Sequence, residues 1–230
     1  MPRRQGFTIL ELLVVIAIFT ILIGILMPTL GRAREQARQI KCLANMRQIT
    51  MAFIEYAHEH KDSFLNPDAP SGQAGLAANE DHSQVIPALY PYAHQTAVFH
   101  CPADDRDGML SYSPNEYLGG KWPPYRHPYK NISQVTDTSE VFAFIEEFEL
   151  HPRVANNSGG FVVNPPPITV WIDYPAMAHG HASCISFLDG HVECWSWVDQ
   201  RTWKLSQGPQ FPSTPANPDL LRLQTVLGGN

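Results

Sequence analysis

Four side chains able to hold a metal or move a proton fall within thirteen residues late in the chain: His179, His181, Asp189 and His191. Imidazole with carboxylate suits zinc. Asp173, Glu146 or Glu147 would add the oxygens that calcium prefers, although no calcium-loop spacing accompanies them. The same residues have a structural reading. Asp189-Gly190 is the favoured dipeptide of a two-residue type I′ hairpin turn, in which the aspartate bonds its own turn backbone and His179 packs on or donates to the hairpin. Structure is preferred to a bound cation here, and a cation to catalysis. A Gly-x-Ser-x-Gly elbow, a His-Glu-x-x-His pair and a phosphate-binding glycine loop are all missing from the sequence, so no catalytic residue is assigned.

The four cysteines are the second reactive set. Cys42 lies on the apolar stripe of an expected helix, and Cys101 ends a short strand expected over residues 97–100. A Cys42–Cys101 bridge would staple the two and contribute ~3 to 5 kcal/mol in the chain-entropy model. In two-residue register the turn pairs Leu188 with His191, and hence Ile185 with Cys194. The sulfurs of Cys184 and Cys194 then point to opposite faces, leaving them free unless a bulge shifts the register.

A third group is one acid at an apolar boundary. Glu11 precedes Leu12 to Leu30, nineteen residues without a charge. At ~1.5 Å per helical residue they reach about 28 Å, close to the ~30 Å hydrocarbon core of a bilayer. An ionised acid in such a setting costs roughly 2.5 to 3.5 kcal/mol even on the mildest insertion scale, so it calls for a cation. Cleavage after Gly6 would supply one, the free amine of Phe7. Further along, Pro28 has no amide hydrogen to give the Gly24 carbonyl, and Gly24 is a poor helix former. The helix is therefore expected to bend locally between them, or to melt there when packed among copies of itself.

The elements that must carry these groups follow in order. Residues 1–6 form a short basic leader, 7–30 a membrane-spanning helix, and 31–60 an amphipathic continuation whose stripe reads Cys42, Met46, Ile49, Phe53, Tyr56. Residues 61–230 make the head. Its twenty prolines and fifteen glycines belong to the chain total and indicate loops and short strands. A short helix is expected within 85–92, and strands at 141–145, 161–163, 168–172, 182–188 and 191–197. Short helices are expected within 195–205 and from Pro218, with Pro at the first helical position. Tyr112, Tyr117, Trp122, Tyr125 and Tyr129 are expected to cover a loop-rich core. The fold class is α+β, a long stem helix packed on a small antiparallel sheet.

The net charge is −6; without Arg3 and Arg4, 14 basic stand against 22 acidic residues, a sum of −8. Nothing here attracts nucleic acid. Arg32, Arg34, Arg38 and Lys41 follow the span while Arg3 and Arg4 precede it, so the positive-inside rule alone would keep the head in the cytoplasm.

The opening segment resembles the signal of type IV pilins and type II secretion pseudopilins: a basic leader, Gly6 before the cut, Phe7 after it, Glu11 at the fifth mature position, and an apolar helix with an internal proline. The resemblance implies cleavage after Gly6 by a prepilin peptidase and N-methylation of Phe7. It further implies filament register through Glu11, and partners among other subunits and an inner-membrane assembly platform. It also overrides the charge rule, placing the head in the periplasm or at the cell surface. His179 with Asp189-Gly190 resembles the H-X9-DG signature of a large pilin-like family. Cys42 with Asn45 and Gln48, Cys101-Pro102, and Ser111-Tyr112 with Asn115 extend that resemblance. The expected role is that of a structural subunit needing no cofactor. The rivals are an anchored extracytoplasmic metal-dependent enzyme using His179, His181, Asp189 and His191, with zinc or calcium bound, and an anchored binding module.

Overall fold

The computed structural model describes residues 9–67, 85–105, 110–120, 127–147, 160–207 and 211–229. The chain forms two compact units, up to Arg38 and from Gln39 onward, and helix α1 (Ile9–Glu59) contributes to both.

In the first unit, from Leu12 as far as Leu30, α1 is apolar on every side. Ile9, Leu13, Ile16, Phe19, Ile23, Leu26 and Leu30 are all exposed, and the helix is long and apolar enough to cross a membrane. A helix with no polar face asks for an apolar solvent all round. Its two threonines hide their hydroxyls in the helix itself: Thr20 Oγ1 donates to the Ala17 carbonyl at 2.8 Å and Thr29 Oγ1 to the Leu26 carbonyl at 2.7 Å. The helix runs uninterrupted through Gly24 and Pro28.

In the second unit α1 becomes one-sided, burying Cys42, Asn45, Met46, Ile49, Thr50, Ala52, Phe53 and Ala57. Four of the five stripe residues are thus fully covered, and Tyr56 is half-buried. This face lies on a four-stranded antiparallel sheet in the order β1 (Tyr112–Pro114), β2 (Phe142–Glu146), β3 (Ala182–Phe187), β4 (Val192–Ser196). Phe53 meets Phe144 of β2 edge to face at 5.4 Å and stacks on Phe64 at 5.6 Å. Period-two alternation sends Phe144 and Cys184 toward the stem and Ile145, Ile185 and Phe187 into a second core with Phe161, Trp171, Trp195, Leu220 and Leu223. Both faces of β2 and β3 are therefore covered, which explains why Phe142-Ala143-Phe144-Ile145 is apolar without interruption.

Helices α2 (Val85–Ala93), α3 (Gln200–Trp203) and α4 (Pro218–Gln224) stand where the sequence places short helices. Asn217 caps α4, its side chain accepting from the amides of Asp219 and Leu220, with Pro218 in the first turn. Asn115 ties the chain's end to the sheet, giving Nδ2 to the carbonyls of Phe142 and Leu227 and accepting from the Tyr117 amide.

Some expectations are corrected. Residues 96–99 form a 3-10 turn, not a strand, and β1 was not anticipated. Residues 161–163 and 168–172 pair only through isolated bridges, Asn115 with Phe161, Val163 with Trp171 and Val170 with Ser213. The β3–β4 hairpin differs most. The Gly190 amide donates to the Phe187 carbonyl at 2.9 Å, the Phe187 amide to the His191 carbonyl at 3.0 Å, and Gly190 has φ +89. That is a three-residue loop, Leu188-Asp189-Gly190, closed by a glycine in the left-handed region. One extra residue moves the register by one, so Cys184 faces Cys194 directly. The bridge formed is Cys184–Cys194. The expected Cys42–Cys101 bridge is absent, and both residues are buried thiols. The turn was one residue too short in the sequence reading, and with it the cysteine geometry inverted.

Candidate functional site

The first candidate is the N-terminal segment. Gly6 and Phe7 lie outside the described residues, and Glu11 stands in the first turn of α1. A methyl group built on Gly24 would meet nothing within 4 Å, so no contact inside this chain requires a glycine there. A helix-interior glycine costs roughly 0.5 to 1 kcal/mol relative to alanine. The carbonyl released by Pro28 is on the same residue.

The second candidate is a buried polar cluster inside the apolar layer between α1 and the sheet. Cys42 comes from α1, Cys101 from the segment after the 3-10 turn, Tyr112 from β1, Glu146 from the end of β2, and His179 from the turn entering β3. Cys42, Cys101, Tyr112 and Glu146 have 0% exposure, and the His179 side chain has 2%. Glu146 is the hub. Its Oε2 accepts from the Cys184 amide at 2.7 Å, while Oε1 is 3.0 Å from Cys42 Sγ and 3.4 Å from His179 Nε2. His179 Nε2 is also 3.5 Å from Cys101 Sγ. Tyr112 gives its hydroxyl to Cys42 Sγ at 3.4 Å, and the Ala103 amide points at Cys101 Sγ, again at 3.4 Å.

The electrostatics separate the two thiols. Cys42 is pushed far above an ordinary thiol by its hydrogen bond to Cys101, by burial and by the adjacent Glu146. Cys101 is lowered to about 7, first by the hydrogen bond from Cys42 and with help from His179, against the effect of burial. Cys42 thus keeps its proton, with Cys101 and Glu146 both in reach as acceptors. Burial, then the neighbouring Cys42, pushes the Tyr112 hydroxyl well up, so it remains a donor.

The four histidine-and-aspartate candidates do not converge. His181 stacks on Trp203 with ring centroids 4.0 Å apart. His191 stacks on Phe187 at 4.2 Å, and its Nδ1 lies 2.5 Å from Asp189 Oδ1, which also accepts the His191 amide at 3.0 Å. Asp189 therefore does brace its own turn. Among the described residues, the potential ligand group within 4.8 Å comprises Cys42, Glu146, His179 and Cys184; of these, His179 and the further oxygen donor Glu146 come from the expected residues. Asp173 accepts the Val162 amide instead. The signal for Glu146 was legible: it is the acid ending a run otherwise buried on both faces. Tyr112 as a partner of Cys42 has no comparable signature.

Residues 1–27 match the family model of the prokaryotic N-terminal methylation motif. It is the type IV pilin and pseudopilin signal. The motif spans Gly6, Phe7, Glu11 and Gly24, and stops one residue before Pro28; its family is of the structural pilin type. No curated protein and no solved structure matches the chain. The methylation motif includes the start of the one long apolar helix, and the chain has an α+β, pilin-like layout.

Proposed function

We propose that the chain is a pilin-like or pseudopilin subunit. A prepilin peptidase cuts between Gly6 and Phe7 and methylates the new amine. The Phe7 amine neutralises Glu11 of its own or a neighbouring chain, and the subunit leaves the bilayer for a filament whose stems pack together while heads form the outer surface. The observation carrying this reading is the methylation motif running directly into a helix whose apolar side chains are exposed on every side. Gly24, where an added Cβ would meet nothing within 4 Å among the described residues, supports close approach by another stem, and Pro28 supports local unwinding on packing.

The Cys184–Cys194 bridge supports a head outside the cytoplasm, since disulfides persist in oxidising compartments. The same reading has the anchor in the inner membrane as a single pass, against the charge asymmetry around the span. The reading is mechanical and not catalytic. Cys42, Cys101 and Glu146 are sealed from solvent, which gives a hydrolase substrate no approach to His179. Tyr112 and Tyr117 are likewise fully buried, which favours core over a displayed aromatic surface.

The test is cross-linking through cysteines introduced along the exposed positions of residues 12–30, with and without Glu11→Ala. Stem-to-stem products that fall sharply in the variant support assembly through Glu11. A chain that yields none, or a variant that cross-links like the parent, would overturn it.

A further inference from the structure

We propose that Cys42, Cys101, His179 and Glu146 form a structural site for a thiophilic divalent cation of the zinc type, clamping the stem helix to the sheet.

The donor set is the first argument. Two thiols, one imidazole and one carboxylate from four separate elements meet in the buried layer between stem and sheet. Thiolate and imidazole select zinc over calcium or magnesium. With both cysteines ionised the bound site carries the same net charge as a Cys3His zinc site.

Geometry is the second. With zinc ~2.3 Å from sulfur and ~2.0 to 2.1 Å from nitrogen and oxygen, a tetrahedron has edges of about 3.4 Å between N and O and about 3.6 Å from S to either. The observed separations are 3.4 Å for His179 Nε2 to Glu146 Oε1, 3.5 Å for Cys101 Sγ to His179 Nε2, and 3.0 Å for Cys42 Sγ to Glu146 Oε1. Of these three edges only Cys42 to Glu146 must open, by about half an ångström, to admit the ion.

Outer contacts are the third. The Cys184 amide holds Glu146 Oε2, leaving Oε1 toward the ion. Tyr112 and the Ala103 amide aim donors at the two sulfurs, as a thiolate ligand requires. Cys184 lies within 4.8 Å of the Cys42, Glu146 and His179 donors but is bridged to Cys194, so it borders the site without ligating. A bound cation would also explain how two buried thiols of one cluster stay reduced in a chain whose other pair is oxidised. Binding releases the two thiol protons to solvent and leaves the oxidation state of sulfur unchanged.

The experiment uses full-length protein in detergent, isolated without reductant, with the Cys184–Cys194 bridge checked by intact mass. Cobalt(II) replaces zinc as a spectroscopic reporter. The expected result is one cobalt per chain, tetrahedral d–d bands, and a sulfur-to-cobalt charge-transfer band of two-thiolate intensity that added zinc abolishes. Cys42→Ser or Cys101→Ser should halve that band, and Tyr112→Phe should weaken zinc binding on the order of tenfold. His181→Ala, Asp189→Asn and His191→Ala should change nothing. The wild-type band counts the thiolates even if a cysteine variant fails to fold. Failure of the reduced chain to bind cobalt, a band of one thiolate or none, sensitivity to His191→Ala, or a Cys42–Cys101 disulfide in zinc-free protein as isolated would each overturn the site. None of these results bears on assembly through the stem.

Discussion

Replacing Pro28 by alanine separates the stability of the stem from its use. In the structure α1 passes through Pro28 without a break, yet the proline supplies no amide to the Gly24 carbonyl, and proline in a helix interior is about 3 kcal/mol less favourable than alanine. Inside this chain alanine at 28 has nothing to disturb, because the flanking side chains from Ile25 to Leu30 are exposed to the surrounding medium. The change restores one backbone hydrogen bond. At 1.36 kcal/mol per tenfold, ~3 kcal/mol corresponds to a local opening equilibrium about a hundredfold less favourable. Hydrogen–deuterium exchange of residues 24–30 in nanodiscs should slow by about that factor. If local melting of this segment accompanies packing of the stem, filament yield should fall although the monomer is more stable. Slower exchange with undiminished filament yield would refute the role given to Pro28, and unchanged exchange would refute the magnitude.

Three further outcomes follow from the head, each read by denaturant unfolding of the full chain in detergent. Gly119 and Gly190 both have positive φ, but a Cβ on Gly119 would run into the Leu65 carbonyl group, with its carbon at 2.9 Å, whereas on Gly190 it would meet only the flexible Met51 Sδ at 3.3 Å. Gly190→Ala should cost about 1 to 2 kcal/mol from the left-handed backbone alone, and Gly119→Ala about 1 to 3 kcal/mol more for forced movement; equal costs would contradict this. Asn115→Asp turns two donors toward the Phe142 and Leu227 carbonyls into acceptors and should cost about 3 kcal/mol or more. Asp199, held below the usual carboxylate value of 3.8 first by Arg201, also caps α3. Asp199→Ala should cost about 1 kcal/mol at neutral pH; that difference should persist above the ordinary value and vanish as pH falls through the depressed one.

The stem and the hairpin differ in how far the residues alone could take the reading. For the stem, composition and period were sufficient: an uncharged run as long as a bilayer, then a stripe at spacings of four and three, gave α1 and the face it buries. For the head, pattern located β2, β3, β4 and the proline-led α4, because β2 is mostly an apolar run, β3 and β4 flank the Asp189-Gly190 turn signal, and α4 carries its own cap and proline. What failed depended on a single residue of loop length. Asp189-Gly190 fits both a two-residue turn and a three-residue loop ending in left-handed glycine, and only the second sets Cys184 opposite Cys194. The polar cluster was half legible. His179 and Glu146 stood out as buriable ionisable groups, but their meeting with Cys42 and Cys101 depends on how α1 docks on the sheet, which no local pattern encodes.

Central to the account is that this chain is made to be cut and then packed. Intact-mass and N-terminal analysis of the protein from its native membranes tests that most directly. The account predicts a chain beginning at N-methyl-Phe7. A chain still carrying Arg3 and Arg4 where the peptidase is active would contradict it.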